Sequence, residues 1–215
     1  MKLNRIILVI DDDVSSFKGI LRFSDKLAAH AYHFTDRGDL LNWMSENRNS
    51  ITVRRNLFCV VFDPKYSEIF NVRYIFDFLH HAPKICISRP AHLAKALRTI
   101  NTGLFDFIEK PFRLDSMRKA LDQAFLRHEQ ESLVNTQFAS LTKRERETCE
   151  LIANGLTSKD ISEKLEISIK TVKVHRANLM RKMQAKSVTD LLHAHNMFKS
   201  IHQEAIVNPK HPVFD

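Results

Sequence analysis

Several aspartates, one serine and one lysine stand where short apolar runs end. Asp11-Asp12-Asp13 follows Ile6–Ile10, Asp63 follows Leu57–Phe62, Ser88 follows Ile85–Ile87, and Lys110 follows the shorter segment Asp106–Glu109. Carboxylates brought together repel unless a hard cation joins them. Mg2+ takes such oxygen ligands and keeps waters that a phosphoryl group can replace. A carboxylate can itself accept a phosphoryl group as an acyl phosphate, and a hydroxyl and an ammonium can bind the new oxygens. A second group is basic: from Ser168 to Lys186 the chain carries Lys170, Lys173, Arg176, Arg181, Lys182 and Lys186 and no acidic residue. A single-sign face with small and apolar residues among its charges suits the major groove of DNA, whereas solvated faces mix signs.

These residues need elements to hold them. The apolar runs before the first three groups read as buried strands, with Ala31–Phe34 and Asp106–Glu109 as shorter candidates. Helical patterns lie between and after them at Phe17/Ile20/Leu21/Leu27, Leu40/Leu41/Met44, Ile75/Phe78/Leu79, Leu93/Leu97/Ile100 and Leu114/Met117/Leu121/Phe125. Five βα units predict a five-stranded parallel, doubly wound, flavodoxin-like α/β domain over residues 1–126. Sites in such sheets form at the carboxyl ends of the strands, where the acidic groups, Ser88 and Lys110 all fall. A flavin enzyme has the same sheet, but Asp11-Asp12-Asp13 would repel flavin phosphate. A small-molecule sensor needs an apolar pocket, and none is evident. The chain is read as a non-enzyme.

Residues 141–200 read as helical. Thr142 with Glu145, and Ser187 with Asp190, have the spacing of capping boxes, and Thr157 and Ser168 are N-cap candidates. A short helix at about Ser158–Leu165, two intervening residues and a longer helix from Ser168 form a helix-turn-helix. At about 100° per residue, Val172, Leu179 and Met183 share one side of the longer helix, with Ile169 and Met180 beside them. Lys170, Lys173, Val174, Ala177 and Arg181 lie opposite. Glu166 stands in the turn, where a positive φ would cost it about 1 kcal/mol.

Leu141–Phe198, and Thr171-Val-Lys-Val-His-Arg176 above all, resembles the LuxR-type output domain of the NarL and FixJ response regulators. The resemblance implies an all-α four-helix domain whose third helix enters the major groove of double-stranded DNA. Lys173, Val174 and Ala177 would face base edges, and Lys159, Thr171 and His175 would lie near phosphates. Lys170, Arg176 and Arg181 complete the expected DNA-binding set. The first domain resembles the receiver domain of the same regulators, with Asp106-Phe-Ile-Glu-Lys-Pro-Phe112 closest to the FixJ group. By that resemblance Asp11, Asp12 and Asp63 hold Mg2+, and Asp63 is the phosphoacceptor for a sensor histidine kinase. Ser88 and Lys110 bind the phosphoryl oxygens, Phe107 is the switch aromatic, and Lys110–Pro111 is cis. The signal would pass through Ser88 and Phe107 to the Leu93–Ile100 helix and the fifth strand, where a homodimer forms. RNA polymerase is a further implied partner. The segment Pro64-Lys-Tyr-Ser-Glu-Ile-Phe70 departs from the family by having no glycine, and a regulator working without phosphate is the alternative.

The chain has 215 residues and a net charge of +8, enough length for two cores and a charge that favours a polyanion partner. Residues 141–200 hold 12 Lys and Arg against 7 Asp and Glu. Cys59, Cys86 and Cys149 are scattered, without a CxxC pair, which argues against a disulfide or a metal cluster. No signal peptide or membrane span is evident, so a cytoplasmic location with no membrane partner is expected. Residues 127–140 read as a linker that extends the helix before it up to a short break near Asn135–Ser140, and 201–215 as a loose tail.

Overall fold

The computed structural model describes residues 4–47, 56–66, 79, 81–90 and 104–206. The first unit holds β1 (Asn4–Ile10), α1 (Val14–Ser24), β2 (Ala29–Phe34), α2 (Arg37–Glu46), β3 (Asn56–Phe62), a single 3-10 turn at Pro64–Tyr66, β4 (Lys84–Ser88) and β5 (Asp106–Glu109). The strands form one parallel sheet in the order β2-β1-β3-β4-β5. Their apolar runs are continuous because both faces are covered. Ile6, Leu8, Ile10, Phe58, Val60 and Phe62 pack on one face with Leu40 and Met44 of α2. Ile7, Val9, Leu57, Cys59, Val61, Ile85 and Ile87 pack on the other with Ile20 and Phe23 of α1 and with α3 (Leu114–Ala139). The expected patterns at Leu93/Leu97/Ile100 and Ile75/Phe78 lie outside the described residues.

The chain divides into two compact units at Glu129/Gln130, inside α3. The expected linker at 127–140 therefore lies, up to Ala139, within a helix that contributes to both units. His128 belongs to the first unit, buried with its ring Nδ1 3.2 Å from the amide of Phe58. Burial pushes that imidazole below its ordinary pKa, and the hydrogen bond to Phe58 opposes the shift only in part. The expected break at Asn135–Ser140 is not found either. Val134 and Phe138 stand about one helical turn apart and both enter the core of the second unit, so the helix persists to Ala139. Polar composition alone gave no sign of these two anchors.

The second unit adds α4 (Lys143–Ala153), α5 (Ser158–Leu165), α6 (Ile169–Lys182) and α7 (Val188–Ile206). Its core joins Leu141, Cys149, Ile152, Ile161, Val172, Leu179, Met183 and Leu191. Thr142 and Glu145 form the expected capping box, and Ser187 and Asp190 exchange the same reciprocal bonds. Thr157, expected as an N-cap, forms a further full box with Asp160. Helix α7 continues to Ile206, so the expected tail at 201–215 begins in helix, and 207–215 lie outside the described residues. No described helix is long and apolar enough to cross a membrane.

Helices α4, α5 and α6 each end on a residue in the left-handed region: Gly155 at φ 81°, Glu166 at 53° and Gln184 at 52°. Each end has the paired Schellman bonds, as in Ile167 N to Ser162 O and Glu166 N to Glu163 O. Only Gly155 adopts this without a Cβ penalty. Replacing Glu166 by Gly is expected to raise stability by about 0.5–1 kcal/mol, read as a higher midpoint in urea unfolding. An unchanged or lower midpoint would refute the strain at this turn.

Candidate functional site

Asp11 and Asp63 sit just past the ends of neighbouring strands, where Ile10 and Phe62 pair in register. The Asp63 amide donates to the Ile10 carbonyl at 3.0 Å, which sets the two carboxylates side by side. The chain crosses from one side of the sheet to the other here, at the switch point where open α/β sheets form their sites. Both side chains are buried. Lys110 joins them: its Nζ donates to Asp11 Oδ2 at 2.5 Å and to Asp63 Oδ2 at 2.8 Å. Burial raises the Asp11 carboxyl above its usual range, and the hydrogen bond from Lys110 offsets only part of that rise. Lys110 is held by its own backbone, which donates to Ser88 O at 2.8 Å, and its peptide to Pro111 is cis.

The other two aspartates of the first strand end take separate paths. Asp13 caps α1, accepting from the Ser15 amide and the Ser16 hydroxyl. Burial would lift its pKa, but those hydrogen bonds outweigh it and hold the carboxyl low. Asp12 lies at the exposed lip and pairs with Lys65, Nζ to Oδ1 at 2.5 Å. The Lys65 amide in turn donates to Asp63 Oδ1 at 3.0 Å. The expected metal set Asp11, Asp12 and Asp63 therefore shares one rim, and its oxygens are of the type Mg2+ takes. Two ammoniums already engage those oxygens, and among the described residues no three His, Cys, Asp or Glu side chains converge to hold an ion. The donor chemistry fits Mg2+ once an ammonium gives up the carboxylate oxygen it holds.

Ser88 is buried at the end of β4, and its hydroxyl donates to the Arg89 carbonyl at 3.1 Å. Phe107 on β5 is half-buried and packs against the cluster that holds Phe62 and Cys86. Cys59 and Cys86 are buried free thiols, the latter pushed up to about 12 by burial.

In the second unit, α6 divides as its spacing requires. Val172, Leu179 and Met183 are buried, while Lys170, Lys173, Val174, Ala177 and Arg181 are exposed, Val174 at 52%. An exposed valine among lysines is an apolar surface ready for a base edge or a thymine methyl. Thr171, His175 and Arg176 are half-buried flanks, and Lys159 on α5 is exposed. The Thr171 hydroxyl lies 2.8 Å from that of Ser168, the N-cap of α6. Two expectations need correction. Ile169 is 45% exposed rather than beside the core, because it lies in the first turn of the helix. Lys182, counted with the basic set, turns inward to Glu145 Oε2 at 2.6 Å and to the Ser140 carbonyl. Burial would raise the Glu145 carboxyl, but the bonds from Lys182 and Thr142 hold it below its usual range.

A family model described as "Bacterial regulatory proteins, luxR family" matches residues 139–195. The chain is 28% identical over 197 residues to the response regulator protein TmoT of Ectopseudomonas mendocina, covering 87% of this chain and 86% of that one. It is 32% identical over 137 residues to the transcriptional regulatory protein FixJ of Rhizobium meliloti strain 1021, covering 60% of this chain and 67% of FixJ. Among solved structures, full-length FixJ from B. japonicum aligns with a TM-score of 0.47 at 23% identity, over 93% of this chain and 99% of that one.

Proposed function

The chain belongs to the response regulators of the FixJ/NarL type, with a LuxR-type DNA-binding domain, and on that premise we propose that an aspartyl phosphate at Asp63 controls its action in transcription. A sensor histidine kinase in the cytoplasm is the donor. Phosphorylation pairs two copies of the chain, so that two α6 helices meet a two-fold DNA site next to RNA polymerase. The observation that carries this reading is Asp63, a buried carboxylate at a strand end, already hydrogen-bonded by Lys110.

The steps follow from the side chains. A carboxylate oxygen of Asp63 bonds to phosphorus as the donor's phosphorus–nitrogen bond breaks, and the electron pair returns to the donor imidazole, which takes up a proton. Lys110 then exchanges its bond to the Asp63 carboxylate for one to a phosphoryl oxygen. The Ser88 hydroxyl turns from the Arg89 carbonyl to another. Mg2+, held by Asp11, Asp12 and Asp63, would supply positive charge to the phosphoryl oxygens. Phe107, on the strand paired with β4 and opposite Cys86 two residues before Ser88, carries the change along β5 and to the residues before it.

One observation favours a second reading. All three rim carboxylates already have lysine partners, as suits a regulator that dimerises or binds a partner without phosphate. Mass and size measured after acetyl phosphate and Mg2+ decide between the two. One phosphoryl group on Asp63 with a shift from monomer to dimer, both absent in Asp63→Asn, is the expected result. A dimer that forms without any mass gain would replace the first reading by the second.

A further inference from the structure

Resting on the reading of Asp63 as phosphoacceptor, we propose that Lys65 is a tethered cation that competes with Mg2+ for Asp12 and sets how much Mg2+ the rim requires. Its position is built by the local chain. Pro64 has a fixed φ and opens the short 3-10 turn Pro64–Tyr66. The amide of Lys65 is fixed on Asp63 Oδ1, the other oxygen of that carboxylate being held by Lys110. From this anchored backbone the side chain of Lys65 spans the rim to Asp12 Oδ1. One residue thus touches the acceptor through its backbone and the lip carboxylate through its ammonium.

Occupancy of the oxygens decides what a dication must do. Each of the carboxylates of Asp11, Asp12 and Asp63 accepts from one of two ammoniums, Lys110 on the first and last and Lys65 on Asp12. A dication that takes an oxygen of Asp12 competes with the ammonium already on it, so its entry goes with the withdrawal of one ammonium. Lys110 is enclosed, with 5% of its side chain exposed, and bridges two buried carboxylates. Lys65 is 34% exposed and its partner Asp12 54%, so Lys65 can swing into water at little cost. Lys65 is the ammonium that leaves, and Asp12 is the oxygen ligand it frees.

The test is calorimetric titration of the full chain with MgCl2 alone, at constant ionic strength. Removing a unit positive charge beside the ion is expected to tighten Mg2+ binding about tenfold in Lys65→Met. Lys65→Arg keeps the charge and should stay near wild type, a distinction that a merely structural role for Lys65 would not produce. Adding Asp12→Asn to Lys65→Met should cancel the gain. Equal affinity in wild type and Lys65→Met, or no Mg2+ binding by either, overturns the proposal. Labelling with acetyl phosphate separates this from the function proposed above. A Lys65-dependent Mg2+ affinity without phosphate on Asp63 removes the phosphorylation reading and keeps the gate. Phosphate on Asp63 with an affinity indifferent to Lys65 does the reverse.

Discussion

Lys110→Met is expected to destabilise the first unit by about 3–5 kcal/mol near neutral pH, the cost of leaving buried carboxylates without their shared cation. Asp11 and Asp63 are both buried and both bonded to that one ammonium. The loss depends on pH through the Asp11 carboxyl. The Asp11 carboxyl is already raised by burial, with Lys110 as the main opposing influence. A raised folded pKa means that the folded state holds the proton more tightly than the unfolded one. Its stabilising contribution is full below the unfolded value of about 3.9 and disappears as pH rises through the folded value. Removing Lys110 moves the folded value further up, so the deficit against wild type should be small at pH 5 and large at pH 8. Urea unfolding at the two pH values measures it. The double variant Lys110→Met with Asp11→Asn should recover much of the loss at pH 8. A deficit independent of pH would mean that Lys110 acts through packing rather than charge.

Lys173→Ala is expected to cost about 1–3 kcal/mol of binding at a selected DNA site, roughly a 5- to 150-fold loss, and to relax preference at one position of that site. Lys173 lies exposed beside Val174 on the face of α6 turned away from Val172 and Leu179. Arg181 is exposed near the other end of the same helix. Its change to Ala should weaken selected and scrambled duplexes alike and lower the slope of log affinity against log salt by about one. Fluorescence anisotropy on both duplexes across a salt series distinguishes the two effects. An unchanged preference in Lys173→Ala would place the base-reading face elsewhere on the second unit.

The strands were legible because their signal is local. An uninterrupted apolar run such as Leu57–Phe62 has to be covered on both faces, and a polar residue directly after it has to stand at the sheet's rim. The capping boxes were legible for the same reason, since Thr142 and Glu145 satisfy one another within a single turn. The face of α6 followed from its helical repeat, with Ile169 and the inward-turned Lys182 as the exceptions. The division of α3 was not legible. Polar residues after Phe125 gave no sign that His128 would bond to Phe58, 70 positions away, or that Val134 and Phe138 would enter a second core.

Sequence by itself determined which residues lie at strand ends, which cap helices and which share a helical face, because each of these follows from a fixed repeat or a contact within a few positions. Only the tertiary structure decided which charge answers which. Lys110 meets Asp11 across 99 positions, Lys65 meets Asp12 across 53, and Lys182 leaves the basic set to meet Glu145 across 37. A charge has no periodicity that names its partner. Its partner is set by which strand ends and helix faces packing brings within a few ångströms, and its energy by how far that packing shuts out water.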